Sequence, residues 1–320
     1  MTQRAAIARR KKASFLERVA AVYQVSIPEA ERMLSGERRQ SVRINRLSHR
    51  PREAIESDIK RLVEVSSVPW CPDAFFILGD KRKITESPLF REGEVYVQNA
   101  SSLIPVLALD PRPGEKILDL AAAPGGKASH IASIIGNNAH LWLNDSLAAR
   151  LRKLESMVQL LNVKAEHVTS VPAQYADKFI HHEFDRILLD AQCSGEGRID
   201  LLRPNALQYW SLARVKKYGL LQQRMLVAAF KLLRPGGALV YSTCSISPEE
   251  NEQPIDHLLR HYDARVVPID IGLPPADWSG GLRAWNGRDY HADLSLGVRA
   301  RPSEFLEPFF VCKLEKSRTS

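Results

Sequence analysis

Cysteine is scarce in this chain. The four present in 320 residues, Cys71, Cys193, Cys244 and Cys312, stand far apart, with no CxxC pair and no Cys/His cluster at zinc spacing. The sequence therefore predicts no disulfide framework and no metal site, and a reducing, cytoplasmic setting. Long apolar runs are missing as well. None approaches the ~18–20 residues of a membrane span, and the opening Met-Thr-Gln-Arg-Ala lacks a signal-peptide apolar core, so no membrane partner is expected. No GxGxxG stands anywhere, which argues against a dinucleotide cofactor and a nicotinamide oxidoreductase. A cysteine hydrolase needs a positioned histidine, and His181-His182 precede a strand where solvent is the expected neighbour. No internal repeat or low-complexity segment stands out, and a monomer is expected.

What is present is an ordinary soluble composition, 44% hydrophobic and 26% charged, in a chain long enough for more than one domain. Its charge is uneven. Residues 1–61 hold 15 Lys/Arg and 7 Asp/Glu, whereas the remainder holds 30 of each, so the whole net +8 lies in the first fifth. Such a block attracts polyanions through phosphate contacts and counterion release, and nucleic acid is the expected partner.

In chain order, Arg9-Arg10-Lys11-Lys12 reads as a frayed basic lead. Phe15, Leu16, Val19, Val22 and Tyr23 then recur at helical spacing. Ser26-Ile27-Pro28-Glu29 opens a second helix. Residues 41–47 alternate as a half-exposed strand whose polar face presents Arg43 and Asn45. A helix from Pro51 and a strand at 74–78 complete a small basic α/β module. Residues 98–102 start a further helix, which ends near Leu109.

From there strand, glycine turn and helix repeat, which predicts a doubly wound parallel sheet. The strand 116–120 runs into Ala121-Ala122-Ala123-Pro124-Gly125-Gly126-Lys127, a loop of small residues that a ligand can approach closely. The next strand, 140–143, ends in Asn144-Asp145, an acid at the distance that commonly serves ribose hydroxyls. Together these predict a nucleoside-bearing cofactor. The strand 184–189 ends in Asp190-Ala191-Gln192-Cys193-Ser194-Gly195, so a carboxylate and a thiol reach the sheet edge where open α/β sheets bind ligands. On these residues alone Cys193 looks like a nucleophile with Asp190 as its partner. A long helix, 211–233, is expected to end at Arg234-Pro235-Gly236-Gly237. The strand 238–242 delivers Cys244, and Ser247-Pro248-Glu249-Glu250 reads as a capping box, so this second cysteine also stands before a helix that can favour its thiolate. Cys312 reads as packing within a last strand. Residues 274–297, with Trp278 and Trp285, read as a loop or a flap over the site.

Several stretches together resemble the Nop/Sun family of RNA cytosine-5 methyltransferases: residues 41–45 (SVRIN), 96–102 (YVQNASS), 119–127 (DLAAAPGGK), 190–197 (DAQCSGEG), 234–237 (RPGG), 241–245 (YSTCS) and 249–252 (EENE). The resemblance implies a Rossmann-like S-adenosylmethionine domain, residues 109–320, behind a smaller N-terminal RNA-binding domain, residues 1–108. It implies Cys244 as the thiolate that attacks carbon 6 of cytosine, Asp190 facing N3, Cys193 assisting proton removal and release, and Lys127 holding the base. Ala122, Ala123, Pro124, Gly125, Gly126, Lys127, Asp145, Arg150 and Asp190 would hold the cofactor, and Arg43, Asn45 and Arg46 would contact RNA, ribosomal or transfer. Three positions depart from the family pattern: Gln192 where proline is usual, Ala128 where threonine is common, and Pro172-Ala173-Gln174 where an acid toward the adenine is usual. They leave open a second reading, an RNA-binding or assembly factor on the same scaffold.

Overall fold

The computed structural model describes residues 3–318. Helices α1 (Gln3–Tyr23) and α2 (Ile27–Met33) come first. Strands β1 (Ser41–Ile44), β2 (Val65–Val68), β3 (Cys71–Ile77) and β4 (Val95–Gln98) form an antiparallel sheet of order β2-β3-β1-β4. Helix α3 (Arg52–Leu62) covers it, together with the single turns α4 (Arg82–Thr85) and α5 (Pro88–Arg91). Ile55 and Ile59, one turn apart on α3, meet Val42, Ile44, Phe75 and Ile77 of the sheet.

After α6 (Ile104–Leu109) the alternation begins: β5 (Lys116–Asp119), α7 (Gly126–Ile135), β6 (His140–Asn144), α8 (Ala148–Leu160), β7 (His167–Thr169), α9 (Ala176–Phe179), β8 (Phe184–Asp190), α10 (Leu212–Lys231), β9 (Leu233–Thr243) and α11 (Glu252–His261). Short strands β10 (Ala264–Val267), β11 (Trp278–Gly280), β12 (Ala284–Trp285), β13 (Arg288–Asp289) and β14 (Val298–Ala300) lead to β15 (Phe309–Lys316). The large sheet runs β11-β14-β15-β9-β8-β5-β6-β7, with β10 against β15. From β7 to β9 its strands are parallel, and β15 returns antiparallel on β9. It is the expected Rossmann-like sheet. Alternate residues of the central strands feed two cores. Leu118, Ile187, Leu189, Leu239 and Tyr241 pack against α10 and α11, while Ile117, Leu188 and Val240 pack against α6, α7 and α8. Each such side chain stabilises the fold by roughly 1.5–3 kcal/mol of burial, which is why these strands read as unbroken apolar runs.

Five expectations need correction. The basic lead 9–12 is helical, part of α1. Strand β1 is not half-exposed, because its polar face lies on the large domain. Arg43, 1% exposed, donates from Nη2 to Ser129 Oγ at 2.8 Å, and Asn45 Nδ2 donates to the carbonyls of Gly93 and Leu161 at 2.9 and 3.0 Å. Arg43 and Asn45 therefore join the two units and are closed to RNA, whereas Arg46 stays exposed beside Asp73. Residues 234–237 do not close α10 but lie within β9, where the register on β8 shifts. Pro248 and Glu250 stand before α11, whose N-cap is Asn251, so the predicted capping box is a turn instead. Residues 274–297 supply the lateral edge strand β11 and line no part of the cavity over the strand ends. They dock on α11 through Leu282 N–H on Glu252 and His291 N–H on Asp256, both at 2.9 Å.

Candidate active site

The chain reverses its direction across the sheet between β5 and β8, and this is where such sheets open a crevice. Both strands end there on an aspartate, Asp119 and Asp190, and the neighbouring β9 hands the chain to Cys244. A cavity of about 640 Å³ stands over these three ends. The first unit supplies one wall through Tyr96 and Gln98, and Glu307 and Phe309 close another.

On one side lies the loop of small residues. Gly125 caps α7 at φ +111°, a left-handed geometry that suits glycine, and a Cβ on Gly126 would come within 2.6 Å of the Tyr96 ring. Ala122, Ala123, Pro124, Gly126 and Lys127 line the cavity, as does Arg150, which donates to the Ala123 carbonyl at 2.6 Å. Asp145 is brought to this loop but is 2% exposed. It accepts from the N–H groups of Ala123 and Leu147 and faces Arg150 at 3.3 Å, so it braces the loop from behind. Asp119 is also buried, and neither carboxylate oxygen has a hydrogen-bond partner among the described residues. Burial raises its pKa to about 7, with Lys127 opposing and Asp190 adding to the shift.

Lys127, at the start of α7, donates to Asp190 at 2.6 Å and to Ser102 at 2.8 Å, and Ser242 donates to the other Asp190 oxygen at 2.8 Å. Beside them Cys193 Sγ and Cys244 Sγ are 3.1 Å apart. The two thiols are driven in opposite directions. Cys244 is lowered, first by the hydrogen bond from Cys193 and then by the Arg198 guanidinium. Cys193 is raised, because it gives its proton to Cys244 and is enclosed. Cys244 is thus the favoured thiolate and Cys193 the retained thiol.

Two buried glutamates hold this geometry. Glu196 accepts from Trp210 Nε1, the Ser247 N–H and hydroxyl, and the Ile246 N–H, at 2.7–3.0 Å, which fixes the turn after Cys244. Glu250 accepts from the Ser194 N–H at 2.8 Å and lies 2.8 Å from Ser245 Oγ, tying the two cysteine loops together. The Gly197 N–H donates to the Cys244 carbonyl at 2.7 Å, an approach that a Cβ there would block. Gln192 does not loosen the Asp190–Cys193 segment. Its carbonyl accepts from Gln222 Nε2 at 2.7 Å, and the Ala191 N–H donates to the Ser242 carbonyl at 2.8 Å, so this segment is hydrogen-bonded on both sides of residue 192.

The structure therefore brings Lys127, Asp190, Cys193 and Cys244 to one cavity with the glycine loop, and sets Arg43 and Asn45 apart. Sequence reasoning missed Asp119, Glu196 and Glu250, which stand inside motifs read for other purposes. It also missed Arg198, for which an arginine one position past the second glycine was the only signal.

The family model described as 16S rRNA methyltransferase RsmB/F matches residues 106–314, and the model of the N-terminal domain of 16S rRNA methyltransferase RsmF matches residues 12–100. The chain is 34% identical over 284 residues to the tRNA (cytosine(49)-C(5))-methyltransferase of Pyrococcus abyssi, covering 88% of this chain and 89% of that protein. It is 35% identical over 258 residues to ribosomal RNA small subunit methyltransferase F of Shewanella woodyi, covering 77% of this chain but 54% of that protein. It thus spans about half the length of that bacterial relative. A crystal structure of a methyltransferase homolog protein from Pyrococcus horikoshii superposes with a TM-score of 0.77 at 29% identity, over 95% of this chain and 99% of that one.

Proposed function

The chain belongs to the RsmB/F family of methyltransferases, and from that premise we propose that it transfers a methyl group from S-adenosylmethionine to carbon 5 of a cytosine in ribosomal or transfer RNA through a covalent cysteine–cytosine intermediate. The observation that carries the reading is the 3.1 Å pair of thiols beside the Lys127–Asp190 pair, at the ends of adjacent strands in one cavity. In this reading residues 1–108 grip RNA and residues 109–320 carry out the transfer.

The residues present fit the cofactor. S-adenosylmethionine, when bound, supplies an electrophilic methyl group. Its α-ammonium suits the unpartnered carboxylate of Asp119, and the loop of Ala122 to Gly126, braced by Asp145 and Arg150, leaves backbone open to a nucleoside.

Carbon 5 of cytosine is a poor nucleophile. Addition of the Cys244 thiolate to carbon 6 forms an S–C bond and shifts the carbon 5–carbon 6 electrons onto carbon 5; the charge that spreads to N3 is relieved when N3 takes up a proton from solvent, and the resulting N3–H faces the Asp190 carboxylate held by Lys127. After methylation carbon 5 must lose its proton and carbon 6 its sulfur. The carbon 5–hydrogen electrons re-form the carbon 5–carbon 6 double bond and expel Cys244 as its thiolate, and Cys193, 3.1 Å from Cys244, is in reach to take the carbon 5 proton once it has itself lost its proton to solvent, and then to hydrogen-bond the departing sulfur. A base in a duplex must leave the stack first, so a single-stranded or splayed target is expected.

The test is incubation with labelled S-adenosylmethionine and cellular RNA. Wild type should form 5-methylcytosine, Cys244→Ala should lose at least ~10³-fold in rate, and Cys193→Ala should accumulate a protein–RNA adduct on a denaturing gel. If Cys244→Ala matches wild type, the mechanism is lost; if Cys193→Ala turns over normally without an adduct, the role of Cys193 is lost.

A further inference from the structure

Residues 201–248 contain seven Lys/Arg and no Asp/Glu. Three of the seven are neutralised from outside: Arg203 by Asp200 at 3.4 Å, Lys231 by Asp177 at 3.0 Å and Arg234 by Asp185 at 2.5 Å. Arg214, Lys216, Lys217 and Arg224 are exposed along α10 and have no ion-pair partner among the described residues. In the N-terminal block the pairing is mixed: Arg9 and Arg10 on α1 are exposed with no ion pair among the described residues, whereas many others are paired. Arg18, Arg39, Arg46, Arg50 and Arg52 all rest on carboxylates, so much of the charge concentrated there in the sequence is spent within the fold.

The same stretch exposes large side chains. Tyr209 is 75%, Leu202 72% and Leu220 58% exposed. The surface also reaches the active site. Arg214, Lys217 and Arg224 fall on one arc of the helix, and Tyr218, one turn from Arg214, lines the cavity. The loop 199–210 is held rigid beneath it, because Ile199, Leu201, Leu207 and Trp210 pack on α1 and α2, and Lys11 donates to the Gln208 carbonyl at 2.9 Å.

We infer that the outer face of α10 and the loop before it, residues 202–224, is a second RNA-binding surface, which carries the single strand flanking the target base into the cavity. This rests on the RNA methyltransferase reading. Four unpaired cations with no neighbouring carboxylate on the same stretch fit a phosphate backbone, and exposed Tyr209 fits a base face. Neither feature reads base edges, so the surface contributes affinity that is salt-dependent and tolerant of sequence.

The test uses the full chain and a fluorescein-labelled, cytosine-containing single-stranded RNA, with anisotropy read over a salt series. Neutralising Arg214, Lys216, Lys217 and Arg224 together to Gln should reduce the slope of log K against log salt by ~2–3, at ~0.7 per phosphate contact, and weaken binding ~10-fold or more at moderate salt. Tyr209→Ala should weaken binding ~5-fold or more with the slope unchanged. Calorimetric affinity for S-adenosylmethionine and the thermal midpoint should stay at wild-type values in both, which separates this surface from the fold and the cofactor site. Arg265→Gln, on the far edge of the sheet, is the control. If wild type binds RNA and the fourfold variant keeps its slope and affinity, the proposal is overturned and the surface is left to a protein partner. If wild type neither binds nor methylates any RNA, the failure is that of the RNA reading itself.

Discussion

Cys244 and Cys193 carry the same side chain and are made unequal by what faces them. The hydrogen bond between them is the first cause; Arg198, one residue past a glycine whose N–H holds the Cys244 carbonyl, then lowers Cys244 against burial, Asp190 and Glu307, and burial and Glu250 add to the rise of Cys193. Replacing Arg198 by Gln should therefore move the pH midpoint of Cys244 alkylation by iodoacetamide upward and slow labelling at neutral pH by ~3–10-fold, with Arg198→Lys in between. Superimposable labelling profiles for wild type and Arg198→Gln would remove Arg198 from the account. At this scale the sequence marked the groups that share the cavity, since Asp190, Cys193, Cys244 and Lys127 stand at strand ends or loops that a doubly wound sheet must gather. It could not mark Arg198, because nothing in a one-dimensional pattern says which way a turn residue faces.

The loop that carries Cys244 depends on a proton that the sequence does not show. Ser245 Oγ lies 2.9 Å from Glu196 and 2.8 Å from Glu250, and one hydroxyl proton can satisfy only one of them. Glu196 already has four other donors. Burial with the Glu196 charge raises the Glu250 pKa to about 7, against the hydrogen bonds from Ser194 and Ser245. Gln222 from α10, Cys193 from the β8 loop and the Tyr241 phenol, on the Glu250 carbonyl, are the other groups that face it. The folded protein thus keeps a proton that the unfolded chain loses near the ordinary carboxylate value. Stability should fall as pH rises from ~4.5 to ~7 and then level off, by at most ~3 kcal/mol from this group. Glu250→Gln, which stays neutral throughout, should flatten that decline in denaturant unfolding measured across pH; an unchanged slope would show that Glu250 is ionised in the fold. Here the sequence misled, because the residues before α11 resemble a helix start while their carboxylate turns inward to serve serines from two loops.

Across the whole molecule, the interface that the small sheet makes with α7 and the end of α8 is polar and buried. Asn45 is saturated there, but Arg43 leaves Nε and Nη1 without partners, and burial lowers its pKa to about 10. A buried cation with incomplete pairing is often no more stabilising than an apolar side chain of its size. Arg43→Met should therefore keep the thermal midpoint or raise it, whereas Asn45→Ala should cost ~1–3 kcal/mol by orphaning two carbonyls. A fall of several degrees in Arg43→Met, seen in thermal melts, would show that the guanidinium is structurally required.

Much of this protein was legible in one dimension. Apolar runs ending in acids and glycines specify a parallel sheet whose strand ends converge, because a strand buried on both faces can expose functional side chains only at its end. That was enough to predict the Rossmann-like fold, and the glycine loop and both cysteine loops stand where such a sheet gathers them. What escaped depends on neighbours distant in sequence. Arg43 and Arg46 are alike on paper, and the first is buried while the second is exposed only because α7 covers one face of β1. The N-terminal excess of charge is partly neutralised by distant carboxylates, Glu249 on Arg18 and Glu304 on Arg39, and exposed cations without an ion pair among the described residues stand on α10 as well. Pattern and spacing report the local periodicity of the backbone. Pairing, burial and the sense of a pKa shift are set by whatever the fold brings within a few ångströms, and that contact map is absent from the order of the residues.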